Sequence, residues 1–429
     1  MTFRRPRPGP AAAMLSSLLL LISGTPAAAQ LLPSPGAVLD RLPLPAPIQD
    51  PLQDTATRLG QTAERLTPRA LAAARLDRLT ALARRHPKAL ELDDLGQPVV
   101  RGEVLAVSPG PEALAAAQAE GFVVARRSRA DELGLELVTL TLPKGMTAQA
   151  AVRRLRALDP SGDYDFNHLY ADAGAGAPVS MAIAAPAAAA SGEVRVGLLD
   201  GGVDAPQGRL AGARVQQRGF GPGGARPSPH GTAVGSLLAQ GGAGEILAAD
   251  VYGKGPTGGS AEAIVSALAW MAQAKVGVVN VSLVGPANGP LGAAVRALVA
   301  KGCLIVAAVG NDGPAAPALY PASYPGVVAV TGVDRRRRLL PEAGRAAHVD
   351  FAAYGSEVRV AAPGGRTTTA RGTSYAAPVV AARLARLTGA ADPRAAQQAV
   401  ARLAQEAIDL GAPGVDPLYG RGLVEAARK

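Results

Sequence analysis

The sequence holds a single cysteine, Cys303, and four histidines in 429 residues. One thiol excludes an intrachain disulfide and a cysteine-based zinc site. Cys303 lies in the apolar run KGCLIVAAV and reads as a small buried hydrophobe. The histidines, His86, His168, His230 and His348, are scattered, without the paired spacing of a helical zinc motif. Aromatics make up 3% of the chain, and no basic segment is interleaved with them as a base-stacking platform requires. The net charge of +10 therefore reads as a solvated basic surface, and no nucleic-acid partner is expected. Residues 193–429 lack an Asp-rich loop, so no calcium or other cofactor is expected there.

What is present is a chain that is 48% hydrophobic, with 51 Gly and 36 Pro, enough for a large core with many turns. Arg4, Arg5 and Arg7 precede the apolar run MLSSLLLLISG and the small-residue site TPAAAQ. This is the pattern of a signal peptide over residues 1–29, which predicts a secreted or periplasmic product. The run is too short for a stable membrane anchor. Residues 30–92 form a Pro-rich and then helical segment, with helical spacing over 53–85 broken near Pro68. Residues 93–170 read β-α-β-β-α-β, the split βαβ pattern of a small α+β domain, with Thr147 capping its second helix. The Ala/Gly/Pro-rich stretch 171–192 reads as a linker.

From residue 193 to 429 the pattern is α/β. Strand-like runs at 194–199, 246–251, 276–281, 303–309 and 327–330 are separated by helical runs at 230–239, 260–274 and 291–301. Near-continuous Val/Leu/Ile strands alternating with helices predict a doubly wound, mostly parallel sheet covered on both faces.

Four residues stand where such a sheet places function. Asp200 ends the first strand, His230 opens a helix, Asn311 sits in a Gly-rich turn, and Ser374 precedes an apolar helix carrying Pro378. Each alone also has an ordinary reading: a turn carboxylate, a capping or core histidine, a turn asparagine, a helix-capping serine. Together they suit one reaction. Ser374 attacks a carbonyl, His230 takes and returns its proton, Asp200 orients the imidazole, and Asn311 with the Ser374 amide binds the oxyanion.

The chain order Asp, His, Ser and the words HGT, VVNVSLVGP, AAVGNDG and GTSYAAP resemble the subtilisin-like serine proteases over nearly all of 193–429. The resemblance implies a subtilisin-like fold and a serine endopeptidase acting on proteins or peptides, as a monomer. It also implies a ferredoxin-like prodomain over 93–170, whose tail DFNHLYADAG occupies the site as an intramolecular inhibitor. Substrate would lie as an added strand between Gly258, Gly259, Ser260 on one side and Ser282, Leu283, Val284, Gly285 on the other. The pocket for the residue before the cut would use Ala308, Val309 and Gly310. Two departures stand out: Gly201 replaces the family's hydroxyl residue after the aspartate, and Val284 replaces a glycine, which narrows that pocket. A catalytically silent binding protein on the same fold is the alternative reading.

Overall fold

A helix starts at Pro68, where the helical spacing over 53–85 is expected to break. In the computed structural model, which describes residues 67–173 and 194–426, helix α1 spans Pro68–Arg85. The Thr67 side chain caps it at Ala70 N, 3.3 Å away, and Pro68 sits in its first turn. The signal segment 1–29, the Pro-rich stretch that follows it, the helical run before Thr67 and most of the expected linker lie outside the described residues.

A small domain follows. It comprises β1 (Leu90–Leu92), β2 (Pro98–Val107), α2 (Pro111–Ala119), β3 (Val123–Ala130), β4 (Leu135–Thr141), α3 (Ala148–Leu158) and β5 (Asp163–His168). Its sheet is antiparallel in the order β3-β4-β2-β5, with β1 on the first residues of β2. Alternation along the strands splits the side chains between two faces. Val104, Ala106, Val138 and Leu140 pack under α2 and α3 with Phe122, Leu155 and Tyr164. Leu105 and Leu137 point the other way, into the core of the large domain.

The segment after β5 departs from expectation. Residues 171–173, counted by their composition as linker, include the short strand β6 (Ala171–Asp172), because their backbone finds a partner edge.

The large domain continues through β7 (Arg195–Asp200), β8 (Arg209–Leu210), β9 (Ala213–Gly219), α4 (Pro229–Gln240), β10 (Glu245–Asp250), α5 (Ala261–Gln273), β11 (Val278–Val281), β12 (Leu283–Val284) and α6 (Gly289–Ala300). It ends with β13 (Leu304–Ala308), β14 (Val328–Val333), β15 (Phe351–Tyr354), the hairpin β16 (Val358–Ala362) and β17 (Arg366–Ala370), α7 (Ala377–Leu387) and α8 (Pro393–Glu406). The main sheet runs β15-β14-β13-β11-β7-β10-β9-β8 and is parallel apart from the β8–β9 hairpin. Helices α4, α7 and α8 cover one face and α5 and α6 the other. The strands are apolar throughout because both faces are buried, and each fully buried Val, Leu or Ile contributes about 1.5–3 kcal/mol.

The small domain docks its sheet on α5 and α6. Polar side chains of β5 meet the N-termini of both helices. Asn167 Oδ1 accepts from Glu262 N at 3.2 Å, and Asp165 Oδ2 accepts from Gly289 N at 2.8 Å. These amides have no partner within their helices, so side-chain acceptors satisfy them. Arg126 adds a two-pronged pair to Glu262, both contacts at 2.7 Å. Among the described residues no helix is long and apolar enough to cross a membrane.

One glycine fixes how α4 meets β7. A Cβ at Gly231 would overlap Gly201 O and lie 2.7 Å from Gly202 O, both backbone atoms. Gly231→Ala must therefore push the first turn of α4 off the β7 exit. The expected cost is about 1–3 kcal/mol of stability, with loss of the contact between His230 and Asp200. Denaturant unfolding checks the first effect; an unshifted midpoint would show that α4 is not pressed against the strand end.

Candidate active site

Asp200 is the last residue of β7 and is fully buried. A buried carboxylate needs partners. Oδ1 accepts from Gly201 N at 2.7 Å, and His230 Nδ1 lies 2.9 Å from Oδ1 and 3.0 Å from Oδ2. A carboxylate only accepts, so Nδ1 carries the hydrogen and Nε2 is left as the acceptor of the neutral ring. His230 is in the first turn of α4, where Ser228 Oγ caps Gly231 N at 2.9 Å.

That cap explains the unusual Gly201. A side chain there would collide with the Ser228 hydroxyl, whose Cβ lies 2.8 Å from the position a Gly201 Cβ would take. The space beside Asp200 is filled by a residue from the next element.

Ser374 is not a helix cap. It lies in the 3₁₀ turn Thr373–Tyr375, after Gly372 at a φ of 136°, in the left-handed half of the map that favours glycine. Helix α7 starts after Ala376, without a side-chain cap and with Pro378 in its first turn. Two ties join this turn to its neighbours. Thr373 N donates to Asn311 Oδ1 at 2.9 Å and Gly310 N to Thr373 Oγ1 at 3.2 Å. Ser282 Oγ donates to Ser374 O at 3.1 Å and is itself held by Asn280 Nδ2 at 2.9 Å. The ring of Tyr375 lies 5.5 Å from that of His230, centroid to centroid.

Buried polar atoms are normally hydrogen-bonded. Ser374 Oγ, His230 Nε2 and Asn311 Nδ2 are buried and without a partner among the described residues. They are a hydroxyl, a ring nitrogen and an amide donor; the hydrogen bonds above join the turns of Asn311 and Ser374, and the ring of Tyr375, next to Ser374, lies beside that of His230.

A strand of the chain itself crosses this place. Tyr170 N donates to Gly259 O at 2.8 Å, and Leu169 bridges Ser260. On the other edge Ala171 and Asp172 pair antiparallel with Val284 and Leu283, and Ala173 N donates to Ser282 O at 2.9 Å. Residues 169–173 are thus a central strand between the two segments expected to hold a substrate.

The side chains sort by position. The Tyr170 ring covers Gly285, and its hydroxyl donates to Pro286 O at 2.8 Å. Ala173 packs in one buried cluster with Val284, Ala308 and Leu319. Val284 Cγ1 and Leu319 Cδ1 sit 3.4 and 2.8 Å from where a Gly310 Cβ would be, so these side chains fill the space in front of Gly310. The side chains of Val309 and Leu283 lie in the other cluster, with Tyr170. A Cβ at Gly258 would overlap Tyr252 O, so the backbone there is pressed against Tyr252.

Asp172 is a residue that the sequence reading left without a role. Its Oδ1 lies 3.9 Å from His230 Nδ1. Burial lowers the proton affinity of His230, but the carboxylates of Asp200 and Asp172 outweigh it and raise the pKa to about 9. Asp172, Asp200 and His230 are also the one group of carboxylate and imidazole donors, among the described residues, close enough to share an ion. Glu342 was missed as well. It is fully buried and takes Arg371 on both oxygens, at 2.6 and 3.0 Å, just ahead of the Ser374 turn.

Known proteins resemble the chain over part of its length. The chain is 36% identical over 176 residues to subtilisin DY of Bacillus licheniformis, covering 39% of this chain and 63% of that one. It is 31% identical over 177 residues to the minor extracellular protease Epr of Bacillus subtilis, covering 39% and 26%. The chain therefore spans between a quarter and two-thirds of the length of these relatives. Among solved structures, fervidolysin of Fervidobacterium pennivorans, a keratinolytic enzyme related to subtilisin, superposes with a TM-score of 0.62 at 18% identity. That match covers 79% of this chain and 61% of fervidolysin and speaks to the fold. Residues 192–422 match the subtilase family, peptidase S8, and with more than half its length in that match the chain belongs to the subtilase family.

Proposed function

We propose that the chain is an exported serine endopeptidase made as a self-inhibited precursor, with residues 67–173 as its prodomain. The observation that carries this reading is that Ser374 Oγ, His230 Nε2 and Asn311 Nδ2 are buried without partners among the described residues, and that the added strand reaches the first two residues' neighbourhood through Asp172 and, by way of Ser282, Ala173. Ser374 Oγ attacks the carbonyl while His230 Nε2 takes its proton. The Asp200 carboxylate stabilises the resulting imidazolium through Nδ1. Asn311 Nδ2 and the Ser374 amide bind the oxyanion. The imidazolium then protonates the leaving amine, and water releases the acyl group by the reverse path. The bond cut in the precursor is the one after Ala173, since Ala173 N holds Ser282 O and Ser282 Oγ holds the Ser374 turn.

The reading is tested by Ser374→Ala. The variant is expected to stay full length and hydrolyse no peptide, while the wild type acquires a new N-terminus at Gly174, read by mass spectrometry. Processing by the Ala variant at the wild-type rate would leave the silent binding protein, or another nucleophile, in its place.

Specificity follows from the filled pocket. Small residues are preferred before the cut, and an aromatic is accepted three positions earlier, where Tyr170 sits. Val284→Gly removes a branched side chain from the first pocket. It is expected to raise Phe relative to Ala at that position by roughly tenfold or more, the scale of a few methyl groups in an apolar pocket. A peptide library varied at one position measures this; an unchanged Phe-to-Ala ratio would free Val284 of the role.

The pH dependence has a definite sign. His230 must be neutral to accept a proton, and its raised pKa favours the imidazolium below about 9. Self-cleavage therefore falls as pH drops below that value. Asp172→Asn removes one of the two carboxylates and should move the acid limb of processing to lower pH. The rate at which purified precursor is cut, followed from pH 6 to 10, reads this out; a limb that stays in place would show that Asp172 does not act on His230.

A further inference from the structure

Helix α1 belongs to neither domain's sheet, yet it carries Arg75, the one arginine or lysine that is buried among the described residues. Arg75 stands in an otherwise apolar stripe of Leu71, Leu79 and Leu82. Its reason is Asp312, the residue after Asn311. Arg75 Nη1 donates to Asp312 Oδ2 at 2.9 Å, and Arg78 Nη2 donates to Oδ1 at 2.7 Å. These are positions i and i+3 on one helix face, and each carboxylate oxygen takes one guanidinium. Leu71 lies against Gly313, with its Cβ and Cδ1 3.1 Å from where a Gly313 Cβ would be.

The grip is braced from behind. Arg75 Nη2 donates to Gln97 Oε1 at 3.2 Å, Gln97 N to Asp93 Oδ1 at 2.7 Å, and His168 Nε2 lies 3.0 Å from Asp93 Oδ2. His168 Nδ1 in turn faces Asn288 Nδ2 at 3.1 Å, and Asn288 caps α6. This polar chain starts on the loop of Asn311 and ends on the large domain's docking helix, passing through α1 and the small domain between.

We propose that α1 is a second inhibitory element, in which Arg75 and Arg78 clamp Asp312 and the loop of Asn311 independently of the tail strand. The proposal rests on the self-inhibited reading above. Cutting after Ala173 frees the tail but leaves every contact of the clamp intact. Release of α1 then requires both charge-assisted contacts to Asp312 to break before water can replace them, so it is slow. Activation is limited by departure of the clamp and not by the cut.

The test uses the full chain. Processing is followed by mass spectrometry and activity by a chromogenic peptide ending in Ala, for wild type, Arg75→Gln/Arg78→Gln and the partly exposed single variant Arg78→Gln. The wild type is expected to be cut first and to become active after a lag. Loss of a buried charge contact acts mainly on dissociation, so the double variant should shorten that lag about tenfold or more at an unchanged rate of cutting, with Arg78→Gln intermediate and Arg78→Lys closer to wild type. If the double variant does not fold, Arg78→Gln against Arg78→Lys decides. Hydrogen exchange in the Ser374→Ala background gives a second readout: Arg78→Gln should speed the amides of 310–313 and leave 169–173 protected. A lag shared by wild type and folded variants, with unchanged exchange, overturns the clamp alone. A wild type that shows no lag overturns the self-inhibited reading and the clamp with it.

Discussion

The buried contact between Asp200 and His230 constrains the rest of the site. A carboxylate at the end of a central strand is tolerable only if its lone pairs are met, and here a ring N–H and one backbone amide meet them. The geometry demands that α4 begin directly against the β7 exit, which only a residue without a Cβ at 231 allows. The same closeness leaves no room for a side chain at 201, so the Ser228 hydroxyl fills that space while capping α4. Strand, helix and cap are thus chosen by one hydrogen-bonded pair.

The added strand follows equally simple rules. Segments 258–260 and 282–285 each present an unpaired edge, and an extended chain between them satisfies both. Register then assigns every side chain. Residues alternate, so Tyr170 is sent over Gly285 and Ala173 toward Val284, while Asp172 falls beside His230. Leu319 and Val284 occupy the space in front of Gly310.

Much of this was legible in the sequence and some was not. The apolar strands, the helix runs and the Asp200, His230, Asn311 and Ser374 neighbourhoods are marked by local patterns that tertiary structure does not override. The helix α1 was legible, and so was its boundary at Pro68, where Thr67 makes Thr-Pro a start signal. The extent of the tail strand was hidden because Ala171, Asp172 and Ala173 have linker composition, and only a partner edge makes them a strand. Ser228 filling the place next to Gly201, and Glu342 under Arg371, are contacts between residues distant in sequence. One signal was available and unused: an arginine at position 75 within the stripe Leu71, Leu79, Leu82 requires a buried acid somewhere, and Asp312 is that acid.

The loops carrying Asn311 and Ser374 have no continuous secondary structure between them, so their spacing must be set by side chains. Three ties do this. Asn311 Oδ1 holds Thr373 N, Thr373 Oγ1 holds Gly310 N, and the Glu342 carboxylate holds Arg371 while its backbone oxygen takes Gly313 N. The use of Asn311 Oδ1 in the first tie orients the amide and leaves Nδ2 as the free donor, so the bond that sets the spacing also points the proposed oxyanion donor. The Glu342–Arg371 pair makes sense in the same terms. A buried ion pair is seldom a net source of stability, but it fixes two backbones in one relative position. Asp312 lies in the middle of this braced loop. The Arg75–Asp312 contact therefore reaches a segment whose position is already shared by the proposed nucleophile and oxyanion donor, which is why a helix outside both sheets bears on the site at all.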